Sequence, residues 1–349
     1  MSGESGRVKG KQAGHATMAD VARIAGVSLK SVSRVINNEP HVSARLRERV
    51  EAAVAALDYV PDTAARSLAG ARSFTVGVLF DNPSPNYTIK VMSGAYRACT
   101  ARGYHLRIDN IDSSGDSAAL AEQLEAILRH SRTDGFLLTP PLTDMPEVMD
   151  LLEARSVPYV RIAPVTEPGR SPAVRIEDAE AAAAVAQRLW NEGHRRFGLV
   201  NGPVEHGAAS TRREGFLRRL RELGTGVVVT EAYGGFQFGG GIAAGRDLVA
   251  ARHPPTAIFA TNDDMAAGVM VACAEFNLKV PDDVSVIGFD DSWVAMSVWP
   301  YLTTVFQPVE QMGQAAVELL LDRGQDNPPF ADRVLDWHIV ERASDAPRR

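Results

Sequence analysis

From residue 74 onward the chain alternates short apolar runs with Ala- and Leu-rich helical stretches, and this restricts its fold more than any other feature. Strand-like runs stand at 74–80 (FTVGVLF), 135–138 (GFLL), 158–162 (PYVRI), 196–200 (RFGLV), 257–260 (AIFA) and 284–289 (VSVIGF). Helical stretches include 179–190, 213–223, 265–276 and 308–321. Short, mostly apolar strands spaced by helices predict parallel sheets covered on both faces. So many elements exceed one tidy sheet and predict two doubly wound subdomains. Ligands in such folds bind at the carboxyl ends of strands, often in a cleft between lobes.

The region before this alternation has a different character. Residues 1–72 hold eleven Lys and Arg against seven acids, a balance of +4, so the rest of a chain of net charge −6 sums to −10. A basic head on an acidic body suggests a polyanion partner for the head alone. Residues 1–16 have little apolar content and read as a flexible basic arm. Thr17 can cap a first helix, with Asp20 in its positive first turn and Val21, Ile24 and Ala25 at helical spacing. Gly26 supplies a turn, and Ser28 can cap a second short helix with Val32, Val35 and Ile36 on its apolar face. A third helix near 43–57 offers Leu46, Val50, Val54 and Leu57 as its buried face. Two short helices on a tight turn make a helix-turn-helix. An ordinary three-helix bundle is the alternative. Against it, Leu29, Lys30, Ser31, Ser33, Arg34 and Asn37 fill the second helix's outer face with base- and phosphate-reading groups. Residues 62–70 (DTAARSLAG) can form two turns of helix, marginal without a partner, with Leu68 near its end and open to packing on the next domain.

Catalytic signatures are missing. The sequence has no G-x-x-x-x-G-K-[ST] phosphate loop, no H-E-x-x-H pair and no G-x-S-x-G turn. The Gly-rich run at 234–241 reads as a loop entering a helix, and the scattered histidines have no metal-like spacing. No enzyme, metal or cofactor is therefore expected. Cys99 and Cys273 suit buried thiols of a reducing cytosol. With no secretory signal and no long apolar span, the expected location is the cytoplasm.

Residues 17–37, TMADVARIAGVSLKSVSRVIN, resemble the N-terminal signature of the lactose-repressor/galactose-repressor (LacI/GalR) family of bacterial transcription regulators. The segments at 41–43 (HVS) and 65–70 (ARSLAG) continue the likeness, and 193–196, 201–203, 255–257, 261–263, 286–291 and 302–305 resemble the family's effector-domain landmarks. The resemblance implies an all-α helix-turn-helix head and an α/β sensor like periplasmic sugar-binding proteins. The implied divisions are 17–60 for the head, 61–72 for a hinge helix or linker, and 73–349 for effector binding and dimerisation. Within the last, one subdomain takes about 73–173 and 305–332, the other about 174–304 and 333–345.

By the same resemblance, Leu29, Lys30 and Arg34 meet base edges, while Thr17, Ser28, Ser31, Asn37 and His41 position the head on phosphates or the groove edge. Leu68 corresponds to a minor-groove wedge. Arg212, Asn262 and Asp290, with Phe236 in an aromatic slot, match the effector pocket. Asp81, Tyr87, Arg161 and Trp293 are candidates to join it, though Arg161 equally suits an ion pair and Trp293 a hinge contact. The family's first-lobe acidic position holds Ala163 here, which puts a galactoside in doubt. With no heptad tail after residue 342, a homodimer on a near-palindromic operator is expected. The implied effector is a mono- or disaccharide. A purine corepressor or a protein partner stays open, and a sugar-transport protein leaves the head unexplained.

Overall fold

The computed structural model describes residues 16–36, 41–59, 72–130, 132–322 and 332–348. The chain divides into two compact units, Met1–Ser73 and Phe74–Arg349.

The first unit contains α1 (Met18–Ala25), α2 (Leu29–Ile36) and α3 (Ala44–Ala56). Thr17 opens α1 with a reciprocal cap, its Oγ1 accepting from Asp20 N while the Asp20 carboxylate accepts from Thr17 N. Gly26 closes it at φ 61°, a left-handed conformation that favours glycine. Val21, Ala22, Ala25, Val32, Val35, Val50, Ala53 and Tyr59 form the buried core, with Leu46, Val54 and Leu57 packed partly buried around it. Arg49 on α3 donates from Nη2 to Ala25 O (2.6 Å) and Gly26 O (3.1 Å), tying the third helix to the turn. Arg49→Ala should therefore destabilise the head by about 1.5–3 kcal/mol, the range for charge-assisted hydrogen bonds. Hydrogen exchange of the α1 and α2 amides in the full chain should quicken accordingly; unchanged exchange would remove this role. The expected helix at 62–70, with Leu68, lies outside the described residues, as does Asn37.

In the second unit, β1 (Thr75–Phe80), α4 (Pro85–Ala101), β2 (His105–Asn110), α5 (Ser117–His130), β3 (Gly135–Leu138), α6 (Pro146–Ala154), β4 (Tyr159–Ile162) and β5 (Ala173–Arg175) build a first lobe. The second lobe follows with α7 (Asp178–Asn191), β6 (Arg196–Asn201), α8 (Gly207–Leu223), β7 (Val228–Tyr233), α9 (Phe238–Val249), β8 (Ala257–Ala260), α10 (Asp263–Glu275) and β9 (Ser285–Ile287). The chain then runs through β10 (Thr304–Phe306), α11 (Val309–Leu321), β11 (Asp332–Val334) and β12 (His338–Val340). The first sheet has the order β11-β5-β4-β3-β1-β2 and the second β7-β6-β8-β9, every pair parallel. β10 and β12 form an antiparallel ribbon.

Helices cover both faces of the first sheet. Val91, Ala95, Met312 and Ala316 of α4 and α11 pack with Val76, Val78, Leu137 and Val160. Leu120, Leu124, Val148 and Leu152 of α5 and α6 pack with Leu79, Phe136 and Leu138 on the other face. The Gly-rich run leads into α9, where a Cβ at Gly241 would stand 2.3 Å from Met265 O, so glycine permits the close crossing of α9 and α10. The first sheet takes in Arg175 and Val334, two residues past each boundary expected from sequence.

Candidate functional site

A partly open cavity lies where the carboxyl ends of strands from both lobes face one another. Five of the eight sensor residues singled out from sequence line it: Tyr87, Arg212, Phe236, Asn262 and Asp290. Arg212 projects from α8 and is fully enclosed. Its Nε donates to Asp178 Oδ1 (2.7 Å), its Nη1 donates to Thr261 O (2.8 Å) and lies 3.5 Å from Asp290 Oδ1, and the guanidinium rests 3.7 Å above Phe289. Burial works against its charge, but Asp178 and Asp290 more than offset that. Asp290 follows β9 at φ 112° and accepts 2.5 Å from Gln307 Nε2. Burial pushes its carboxyl above the ordinary range, while Arg212 and Lys90 pull it down.

Asn262 caps α10, with Oδ1 accepting from Met265 N (2.9 Å) and Nδ2 donating to Phe236 O (3.1 Å). It holds the turn that presents the Phe236 ring as well as facing the cavity. Gly202 lets that ring close in, since a Cβ there would meet it at 2.4 Å. Tyr87 on α4 is buried with its hydroxyl unpartnered, and burial raises its pKa, so the phenol stays protonated.

The other three candidates have other work. Asp81 accepts from Ser113 N (2.8 Å) and Oγ (2.6 Å), bracing the loops after β1 and β2. Arg161 is fully buried on β4 and donates to Ser171 Oγ, Thr166 O and Glu167 O, pinning the loop after its strand. Its partners are a hydroxyl and two carbonyls; neither a ligand nor an ion pair is needed to satisfy it. Trp293, 68% exposed, donates from Nε1 to Asn86 Oδ1 outside the cavity lining.

Sequence reasoning missed Asn82, Ser84, His206 and Gln307, which also line the cavity. All four lie in loops or at a helix boundary, where no periodicity marks them; only Ser84, which caps α4 from before Pro85, carried a readable signal. His206 Nε2 lies 3.4 Å from Asn82 Nδ2, and its ring meets Phe236 edge-on with centroids 5.0 Å apart. With Nε2 accepting, the proton sits on Nδ1, which is buried and unpartnered. Burial, and then Arg212, push its pKa down to about 3, so the imidazole is neutral. The cavity thus combines an aromatic face, two unsatisfied polar atoms and a guanidinium already met by two carboxylates.

In the first unit, Leu29 is 53% exposed and Lys30 is exposed at the start of α2, opposite buried Val32 and Val35. Ser28 Oγ accepts from Ser31 N (3.1 Å) and lies 2.9 Å from Ser31 Oγ, so the Ser28 hydroxyl caps α2 and pairs with that of Ser31. Thr17 caps α1, Arg34 stands half-buried one turn after Lys30, and His41 is exposed at φ 66°.

Residues 17–62 match the family described as bacterial regulatory proteins, lacI family, and residues 186–344 match a periplasmic binding protein-like domain. The ribose operon repressor of Escherichia coli (strain K12) is 35% identical over 309 residues, covering 88% of this chain and 93% of the relative. The HTH-type transcriptional repressor PurR of Proteus mirabilis (strain HI4320) is 34% identical over 336 residues, covering 94% and 96%. Among solved structures, the lac repressor dimer bound to operator and the anti-inducer ONPF aligns with a TM-score of 0.78 at 28% identity, covering 94% of this chain and 98% of that one.

Proposed function

Because this chain belongs to the lacI family of bacterial regulatory proteins, DNA-binding regulators of transcription, we propose that it is a repressor whose effector is a small neutral sugar held between the two lobes. The observation that carries the ligand reading is the cavity's polar balance. Arg212 is matched by Asp178 and Asp290, so no spare positive charge awaits a phosphate or carboxylate. The Nδ1–H of His206 and the hydroxyl of Tyr87 are unpartnered in a buried wall, and sugar hydroxyls satisfy both. Phe236 offers an apolar face to a ring.

In this reading α2 reads DNA. Leu29, Lys30 and Arg34 meet base edges, Thr17, Ser28, Ser31, Asn37 and His41 set the head on the backbone, and Leu68 enters the minor groove. One short helix is too small for specificity alone, so a homodimer takes a near-palindromic site. Exposed Ile89 and Tyr96 on α4, Val271 on α10, and Trp293, Met296 and Trp299 supply apolar surface for that pairing.

Thermal denaturation with D-ribose, D-xylose, D-glucose, D-ribose 5-phosphate, guanine and hypoxanthine tests the ligand. A ligand of the native state raises the melting temperature, by an amount that grows with the logarithm of its concentration once that exceeds Kd. A neutral monosaccharide should raise it and the phosphate should not. Stabilisation by a purine alone would replace the sugar with a purine corepressor.

A further inference from the structure

One rim of the cleft is bridged by side chains that, apart from Ser84, lie outside the cavity lining. From the first lobe, Ser84 Oγ donates to Asp264 Oδ2 (3.1 Å) and Asn86 Nδ2 to Asp264 Oδ1 (2.9 Å). Asn86 Oδ1 accepts from Trp293 Nε1, and Lys90 Nζ reaches the carbonyls of Asp290 (3.2 Å) and Asp291 (2.8 Å). Every first-lobe partner comes from the start of α4, and every second-lobe partner from the start of α10 or the turn after β9. Asp264 is in the first turn of its own helix, and closure brings it against the first turn of α4, where Ser84 is the cap. A carboxylate there meets the positive ends of two helices at once, a gain that exists only while the lobes are together.

We propose that Asp264 is the pin of an interlobe clasp, with Asn86 and Lys90 as its other fastenings, which sets the balance between closed and open lobes and so positions the cavity walls for capture. These are positioning residues: they act on the ligand through the separation of the lobes. An apparent Kd scales inversely with the fraction of molecules in the competent state, so loosening the clasp weakens binding with the pocket intact. Losing hydrogen bonds to a charged group shifts such an equilibrium by about tenfold or more.

The test needs no ligand and is independent of the sugar reading. Native Cys99 and Cys273 are buried, and burial pushes both thiols up to about 11, so they do not compete for label. Full-length chain carrying Ser114→Cys and Arg252→Cys, one exposed position per lobe, is labelled for single-molecule energy transfer and mixed with excess unlabelled chain. Asp264→Ala and Asn86→Ala should each move molecules toward the longer interlobe distance, with melting temperatures near that of the parent. Asp264→Glu, which keeps the charge, should recover part of the closed population. Distance distributions identical to the parent in both alanine variants overturn the clasp. If Asp264→Ala does not fold, Asn86→Ala, which leaves Ser84 on Asp264, decides alone.

Discussion

Replacing Arg212 by Leu is expected to destabilise the second unit by about 3–5 kcal/mol, the largest effect of any single change at the site. The guanidinium is fully enclosed and meets Asp178, the Thr261 carbonyl, Asp290 and the face of Phe289. A leucine keeps apolar contact with the ring and abandons two buried carboxylates and a carbonyl. Asp178 loses its 2.7 Å partner outright, and Asp290, already pushed upward by burial, loses the charge that holds it down. Urea denaturation at neutral pH measures the loss, and adding Asp178→Asn should restore part of it by removing one orphaned charge. A loss under about 1 kcal/mol would mean that water reaches the pair and the balanced-charge argument fails. Effector response should vanish in the same variant, but that is informative only under conditions where the folded population is intact. Arg212 is a structural ion pair first, and its substitution is no clean binding knockout.

The second large effect belongs to the head. Lys30→Ala should relax base preference at particular half-site positions and cost about 1–3 kcal/mol per lost base contact. Lys30 stands exposed in the first turn of a helix whose opposite face is locked by Val32 and Val35, so its removal leaves the fold untouched. Fluorescence anisotropy against operators with single substituted base pairs separates this from a loss of phosphate contact, which weakens every sequence alike. An unchanged ranking of operators in Lys30→Ala would take α2 out of the groove. Arg49 offers the contrast: it is as basic, but the carbonyls at the end of α1 already hold it, so its loss should act through folding.

What the sequence made legible follows from burial. Strands such as β3 and β8 are enclosed along their whole length and appear as unbroken apolar runs. The edge strands β2 and β7 alternate between exposed and half-buried positions, and HLRIDN and VVTEAY carry no such run, so both were missed. The site divides in the same way. Arg212, Asn262, Asp290 and Phe236 could be assigned through resemblance, and Tyr87 by its place after a strand. His206, Asn82 and Gln307 are single polar residues brought in by loop geometry, which one sequence does not encode in any local pattern. Arg161 misled for the opposite reason: an arginine in an apolar strand looks like a ligand contact, but a buried guanidinium can be satisfied by carbonyls of its own loop.

The path of the chain through the two lobes has a consequence for its synthesis. The first sheet is unfinished until β11 arrives, and α11, which covers one face of it, comes from beyond residue 308. The second lobe waits longer still, since Ser344 supplies both hydrogen bonds to Val286 and Ala346 engages His194. On a ribosome adding about 5–20 residues per second, the head can fold from one contiguous stretch as soon as it emerges. The two lobes cannot: each must keep part of its apolar face uncovered for most of translation and then close late, through contacts between distant segments. The nascent chain is therefore most exposed to chaperones and to aggregation in the interval between completing β9 and making residue 344.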